Sequence, residues 1–202
     1  MLCKHKHLLR YSDFAAIIID MLVIAEVKTE SPYGWRSNES WEERFKVANE
    51  VGDILSIHTD PRWGGSFDLI SRAREMTDKK ILAKGIHEID SDITKAIKCG
   101  ADFVLVVGRV TFNYFDQCLF EPATIEELKS LPKDARAVWN SRDLNTGGDK
   151  KETFYDARKI FGGWLCQASN IRTVEDINPS ADAVLIGTNL LEIAPNLANL
   201  KR

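Results

Sequence analysis

Short aliphatic and β-branched runs alternate along this chain with amphipathic, charge-rich stretches. The first clear run, Leu22–Val27, reads as a strand, and further strands are predicted at 53–58, 80–84, 102–107, 118–121, 136–140, 164–168 and 183–187. Between and after them the 3.6-residue period predicts helices or helical turns at 39–51, 66–76, 91–99, 124–130, 151–160, 173–177 and 188–193. Ser40 or Asn38 serves the N-cap of the first helix and Gly52 its end, and Gly100 stops the third. Thr124 with Glu127 three residues on reads as a capping box. Strands that alternate with helices are parallel strands joined by crossovers. Eight such units predict an α/β fold of the closed (β/α)8 TIM barrel type, one domain over residues 1–202. A doubly wound sheet is the alternative, but no glycine-rich fingerprint follows the first strand.

One unit departs from the pattern. Only residues 108–117 separate the fourth strand from the fifth, and they carry Phe112, Tyr114 and Phe115. A full crossover helix does not fit there. The barrel is expected to lack the helix after its fourth strand, leaving an apolar strip that either these aromatics or a partner subunit must cover.

Polar side chains recur where strands end. Side chains two apart share a face of a strand, so Glu26 and Lys28 point the same way at the carboxyl end of the first one. Lys84, Glu121, Asn140, Ser169 and Gly187 hold equivalent places, and in a parallel barrel all of these ends meet at one rim, where ligands bind. Two lysines and two glutamates around one pocket supply both an acid and a base, their pKa values pushed apart by their neighbours. The plainer reading is a ring of salt bridges that satisfy one another. The last two units add an anion signal: residues 168–173 and 185–189 each lead from a strand into a helical turn. Turns of this kind after strands seven and eight form phosphate cradles. Ser169, Asn170, Gly187 and Thr188 would supply it, with Arg142 as a guanidinium partner.

Composition narrows the partners. The chain is 44% apolar and 28% charged, with net charge −3 and no basic block, so no nucleic-acid footprint is indicated. No apolar run reaches the roughly 20 residues that span a bilayer. A cytoplasmic protein with no membrane partner is expected. Cys3, Cys99, Cys118 and Cys166 show no metal-site spacing and read as reduced thiols. His5 and His7 sit in a basic terminus and read as a frayed end rather than a metal site.

These segments together resemble the indole-3-glycerol phosphate synthase family, the tryptophan-pathway barrels that close the indole ring. The family's A-E-(V/I)-K-x-x-S-P-S pattern is matched at residues 25–32, with Tyr33 in place of the last serine. Thr59-Asp60, Trp63 and Gly64-Gly65-Ser66 resemble its T-D, aromatic, G-G-S segment, and Leu82-Ala83-Lys84-Gly85-Ile86 its L-x-K-D-F strand. Leu119-Phe120-Glu121 resembles L-V-E, Asn140-Ser141-Arg142-Asp143-Leu144 matches N-(N/S)-R-D-L, Ala168-Ser169-Asn170-Ile171 resembles E-S-G-I, and Leu185-Ile186-Gly187 matches L-I-G. The resemblance runs in order from about residue 20 to residue 193.

It implies a phosphorylated small-molecule substrate, 1-(2-carboxyphenylamino)-1-deoxyribulose 5-phosphate, converted without metal or organic cofactor to indole-3-glycerol phosphate, carbon dioxide and water. Lys84 would be the general acid at the ketone. Glu121 would assist proton removal and dehydration, and Glu26 would orient and charge-stabilise the lysine. Lys28 would bind the substrate carboxylate and could act as a second acid, and Asn140 would hydrogen-bond the reacting hydroxyl. Ser31, Arg142, Ser169, Asn170, Gly187 and Thr188 would serve substrate and phosphate binding. Trp63, Ile86 and Leu144 are candidates for the wall of the aromatic ring or are core packing. The active unit would be a monomer or homodimer. Several features depart from the family: little chain precedes the first strand, Gly85-Ile86 replaces Asp-Phe, and Asn170 replaces a glycine. A barrel repurposed to bind a phosphorylated aromatic or sugar ligand without turnover is therefore the competing reading. A phosphosugar isomerase is a third, which would need the phosphate loops but not the Lys84–Glu121 pairing.

Overall fold

The computed structural model describes residues 21–200; Cys3, His5 and His7 lie outside them. Eight strands, β1 Leu22–Val27, β2 Ile54–His58, β3 Lys80–Lys84, β4 Phe103–Val107, β5 Cys118–Glu121, β6 Arg136–Asn140, β7 Leu165–Ala168 and β8 Ala183–Ile186, pair in sequence order and close into a parallel barrel. Ile24 pairs with Ile54 on one side of β1 and Ala25 with Ile186 on the other, so no sheet edge is left open.

The period of two divides each strand between two cores. Ile24, Leu82, Leu105, Leu119, Val138, Cys166, Ala183 and Leu185 fill the barrel's interior. Their neighbours Val23, Ala25, Leu55, Ile57, Ile81, Ala83, Val104, Phe120 and Val184 face outward and pack under the helices. Continuing the inward parity to the carboxyl ends brings up Glu26, His58, Lys84, Glu121, Asn140 and Gly187. The strands thus pass from apolar floor to polar rim without changing face.

The outer layer holds α1 Trp41–Val51, α2 Phe67–Met76, α3 Asp90–Lys98, α4 Ile125–Ser130, α5 Phe154–Ile160 and α6 Leu190–Leu200. Ser40 caps α1 in a reciprocal capping box with Glu43. The expected box at Thr124 forms by half: Thr124 accepts from the Glu127 N–H, but the Glu127 carboxylate turns to the Ala123 N–H at 2.7 Å. The closing helix starts later and runs further than the sequence suggested. It continues through Pro195 because Leu190, Ile193, Ala194 and Leu197 bury against the barrel, which outweighs the hydrogen bond that proline removes. After β7 the expected turn is a single 3-10 turn, Val174–Asp176.

The unit between β4 and β5 has no α-helix, only the 3-10 turn Phe115–Gln117. Asp90, at the start of α3, pins this connection by accepting from Arg109 (2.9 Å), Thr111 (3.1 Å) and Asn113 (2.8 Å). Phe115 covers Phe120 at 5.4 Å between ring centroids, whereas Phe112 stands 78% exposed. A largely apolar groove of about 340 Å³ remains beside β5, lined in part by Val110, Phe120 and Leu131. The aromatics therefore cover the strip in part. Among the described residues no helix is long and apolar enough to cross a membrane.

Candidate active site

At the rim the centre is Glu26, only 2% exposed. Its Oε1 accepts from Lys84 Nζ at 2.7 Å, and its Oε2 lies 3.2 Å from Lys28 Nζ. Burial alone would raise the Glu26 carboxyl pKa, but the charges of Lys28 and then Lys84 outweigh it and hold the group well below the usual value. Burial pulls the Lys84 pKa down, yet Glu26 and then Glu121 carry it above the ordinary lysine value. Lys28 moves the other way: burial dominates, Glu26 opposes it, and the like charge of Lys84 adds to the fall. One carboxylate thus holds two ammonium groups unequally, with Lys84 the more firmly protonated.

Opposite this cluster, Glu121 Oε1 accepts from Asn140 Nδ2 at 2.9 Å. Asn140 Oδ1 in turn accepts from Ser169 Oγ at 2.6 Å and from the Arg142 N–H at 3.0 Å. This chain fixes which way the Asn140 amide points, leaving Glu121 Oε2 without a hydrogen bond among the described residues.

A cavity of about 260 Å³ opens beside Glu26, Lys28 and Lys84 and extends to Arg142, Ser169, Asn170, Gly187 and Thr188. Two observations fit it to an anion. The Arg142 guanidinium has no ion pair among the described residues, and its Nε is buried without an acceptor. Ser169 and Asn170 hold left-handed backbone angles, φ 67° and 58°, which most residues avoid. The Asn170 side chain is engaged by Asp149 at 2.9 Å. Gly187 is required by close approach: an added Cβ would overlap Glu26 Oε2 and come within 2.8 Å of its Cδ.

A second, narrower recess of about 40 Å³ adjoins the first, with Trp63, Ile86, Leu144, Leu105 and Val107 among its apolar lining. Tyr33 OH donates to the Leu144 carbonyl at 2.8 Å across it. The Trp63 ring is already engaged: His58 stacks on it at 5.1 Å and the Arg62 guanidinium lies over it at 5.0 Å. Ser31 lines neither space. Its Oγ accepts from the Tyr33 N–H at 3.2 Å, and its backbone closes the turn with Gly34 and Trp35. Ser31 thus shapes the loop rather than facing a ligand.

Every other residue expected from the sequence lies around the two spaces. His58 was missed, although the strand-end rule that found Lys84 also selects it as the last residue of β2. Its Nε2 lies 3.1 Å from Glu26 Oε1 without hydrogen-bond alignment, and burial, then Lys84, lowers its pKa to about 4. The ring is neutral at neutral pH. Tyr33 was signalled only as a departure from a motif. The Gly85 departure has a local cause. A Cβ there would overlap Thr59 Oγ1, which is bound to His87 Nε2 at 3.1 Å, so this packing leaves no space for an aspartate.

No protein-family model matches the chain. It is 28% identical to an indole-3-glycerol phosphate synthase of Sulfurisphaera tokodaii over 195 residues, covering 84% of this chain and 78% of that protein. It is 27% identical to the enzyme of the same name from Lachnospira eligens, covering 90% and 79%. A crystal structure of 3-hexulose-6-phosphate synthase superposes with a TM-score of 0.64 at 14% identity, covering 90% of this chain and all of the other, a likeness of fold.

Proposed function

Because the chain is a divergent member of the indole-3-glycerol phosphate synthase family, we propose that it catalyses the family's ring closure. In that reaction 1-(2-carboxyphenylamino)-1-deoxyribulose 5-phosphate yields indole-3-glycerol phosphate, carbon dioxide and water. The observation that carries this reading is one cavity lined by two unlike features. A Lys84 held protonated by Glu26 and an Arg142 without an ion pair among the described residues both face it, together with two strand-to-helix loops.

The phosphate would bind Arg142 and the loops at Ser169–Asn170 and Gly187–Thr188. The ketone would then lie near Lys84. As the carboxylate-bearing ring carbon attacks the ketone carbon, Lys84 gives its proton to the ketone oxygen. The bond to the carboxyl group then breaks, carbon dioxide leaves, and its electrons restore the aromatic ring. The new hydroxyl, hydrogen-bonded by Asn140, departs as water after a second protonation, for which Lys28 is placed. Glu121 takes the proton lost as the double bond forms. Lys28 would also bind the substrate carboxylate before it departs. A cavity that holds benzene measures about 150 Å³. The recess, at about 40 Å³, is smaller than that, so it would have to widen to take the aromatic ring.

A second reading, ligand binding without turnover, draws on Ala168. It stands where the family pattern has a glutamate, and it lines the cavity with no carboxylate of its own. Incubating the protein with the carboxyphenylamino substrate and following indole fluorescence separates the two. Indole formation supports the enzyme. Saturable binding with no indole supports the repurposed barrel and overturns the catalytic proposal.

A further inference from the structure

Arg44 lies on α1, outside every segment that suggested a site, yet it is 1% exposed. A guanidinium taken so far from water is costly unless its charge and donors are met. Here they are met in part. Nη2 donates to the Gly187 carbonyl at 2.8 Å, Nη1 reaches Ser37 Oγ at 3.4 Å, and the group lies 5.1 Å from the centroid of the Trp35 ring. Nε is buried without an acceptor among the described residues. The nearest carboxylate, Glu39, is 3.9 Å away with its side chain 43% exposed. Glu26, the buried carboxylate of this region, is already held by Lys28 and Lys84. A cation stands directly behind the Gly187 peptide with its charge incompletely balanced.

The same contact fixes a peptide plane. The Gly187 oxygen accepts from Arg44 and, at 3.0 Å, from the Leu190 N–H that begins α6. In a trans peptide the carbonyl and the following N–H point in opposite directions. Holding the Gly187 oxygen toward Arg44 therefore turns the Thr188 N–H toward the cavity that Gly187 and Thr188 line. The N–H groups of Thr188 and Asn189 have no acceptor among the described residues, and the first N–H groups of a helix are donors that an anion can use.

We infer that Arg44 is a positioning residue of the anion site: it sets the Gly187–Thr188 peptide and supplies, from behind, positive charge that a bound phosphate completes. This rests on the phosphate-binding reading of that cavity. The test is inorganic phosphate titrated into the parent protein and into Arg44→Met, with folding checked by thermal unfolding and turnover measured alongside. The expected result is a rise of about tenfold in phosphate Kd and in KM, with kcat changed far less. Arg44→Lys, which keeps a charge but loses the planar fork, should recover part of the affinity. A folded Arg44→Met protein with parental phosphate affinity, only melting lower, overturns the inference and leaves the phosphate site standing. A parent that binds no phosphate overturns the site itself. Should Arg44→Met not fold, Arg44→Lys decides alone: a three- to tenfold loss supports the role, and parental affinity refutes it.

Discussion

Gly187→Ala is the smallest change that reaches the proposed chemistry. The new methyl would overlap Glu26 Oε2 and stand 3.3 Å from Lys28 Cε. Normal separation requires the carboxylate to withdraw by roughly 2 Å. The contacts of 2.7 Å to Lys84 and 3.2 Å to Lys28 cannot both survive that shift. Losing one charge-assisted hydrogen bond costs about 1.5–3 kcal/mol. If that loss falls on the transition state, turnover drops roughly 10- to 150-fold. Stability should fall by about 1–3 kcal/mol, the usual effect of one crowded methyl. Indole fluorescence reads the rate and urea unfolding reads the stability. Gly162→Ala is the control: a Cβ there meets nothing within 4 Å, so both measurements should stay near parental. A folded Gly187→Ala protein with parental turnover and phosphate affinity would show that Glu26 does not hold the working lysines as described.

Three further outcomes follow from the same geometry. Lys84→Met should lower turnover by about 10²–10⁴-fold with little change in substrate affinity, whereas a purely structural lysine would give a lower melting temperature and near-normal turnover per folded molecule. Gly85→Asp, which restores the family residue, should destabilise by about 1–3 kcal/mol through collision with Thr59. Thr59→Gly should recover part of that loss, and a Gly85→Asp protein as stable as the parent would contradict the packing. His58 takes its proton near 6.5 when unfolded and near 4 when folded, so between those values the unfolded chain holds more protons and stability rises with pH. Acidification through that window should remove on the order of 3 kcal/mol, seen in urea midpoints at pH 7 and 4.5. His58→Gln should flatten the profile, leaving the smaller slope of His87, whose pKa is also lowered; Glu26 adds its own loss only at lower pH.

The strands were legible because each side chain's face follows from its place in the run. Eight inward-outward alternations, broken by turns, leave few alternatives to a closed barrel, and the same parity carries Glu26, Lys84, Glu121 and Asn140 to one rim. The missing helix after β4 was legible by length alone. The ends of α6 were not, because whether a helix continues past Pro195 depends on what Leu197 packs against, a contact made only in the folded chain.

The sequence by itself therefore determined which groups meet, and tertiary structure decided how they pair. Nothing local tells Glu26 to take both lysines while Glu121 turns to Asn140; that follows from strand register and barrel stagger. Gly187 read from sequence as a strand-end glycine of a phosphate cradle, but its need arises from a carboxylate on a strand far away in the chain. Arg44 falls in a stretch, residues 39–51, that reads from sequence only as an amphipathic helix. Only packing α1 against the barrel removes it from water and sets it behind Gly187, because burial is a property of the assembled layers and not of any segment.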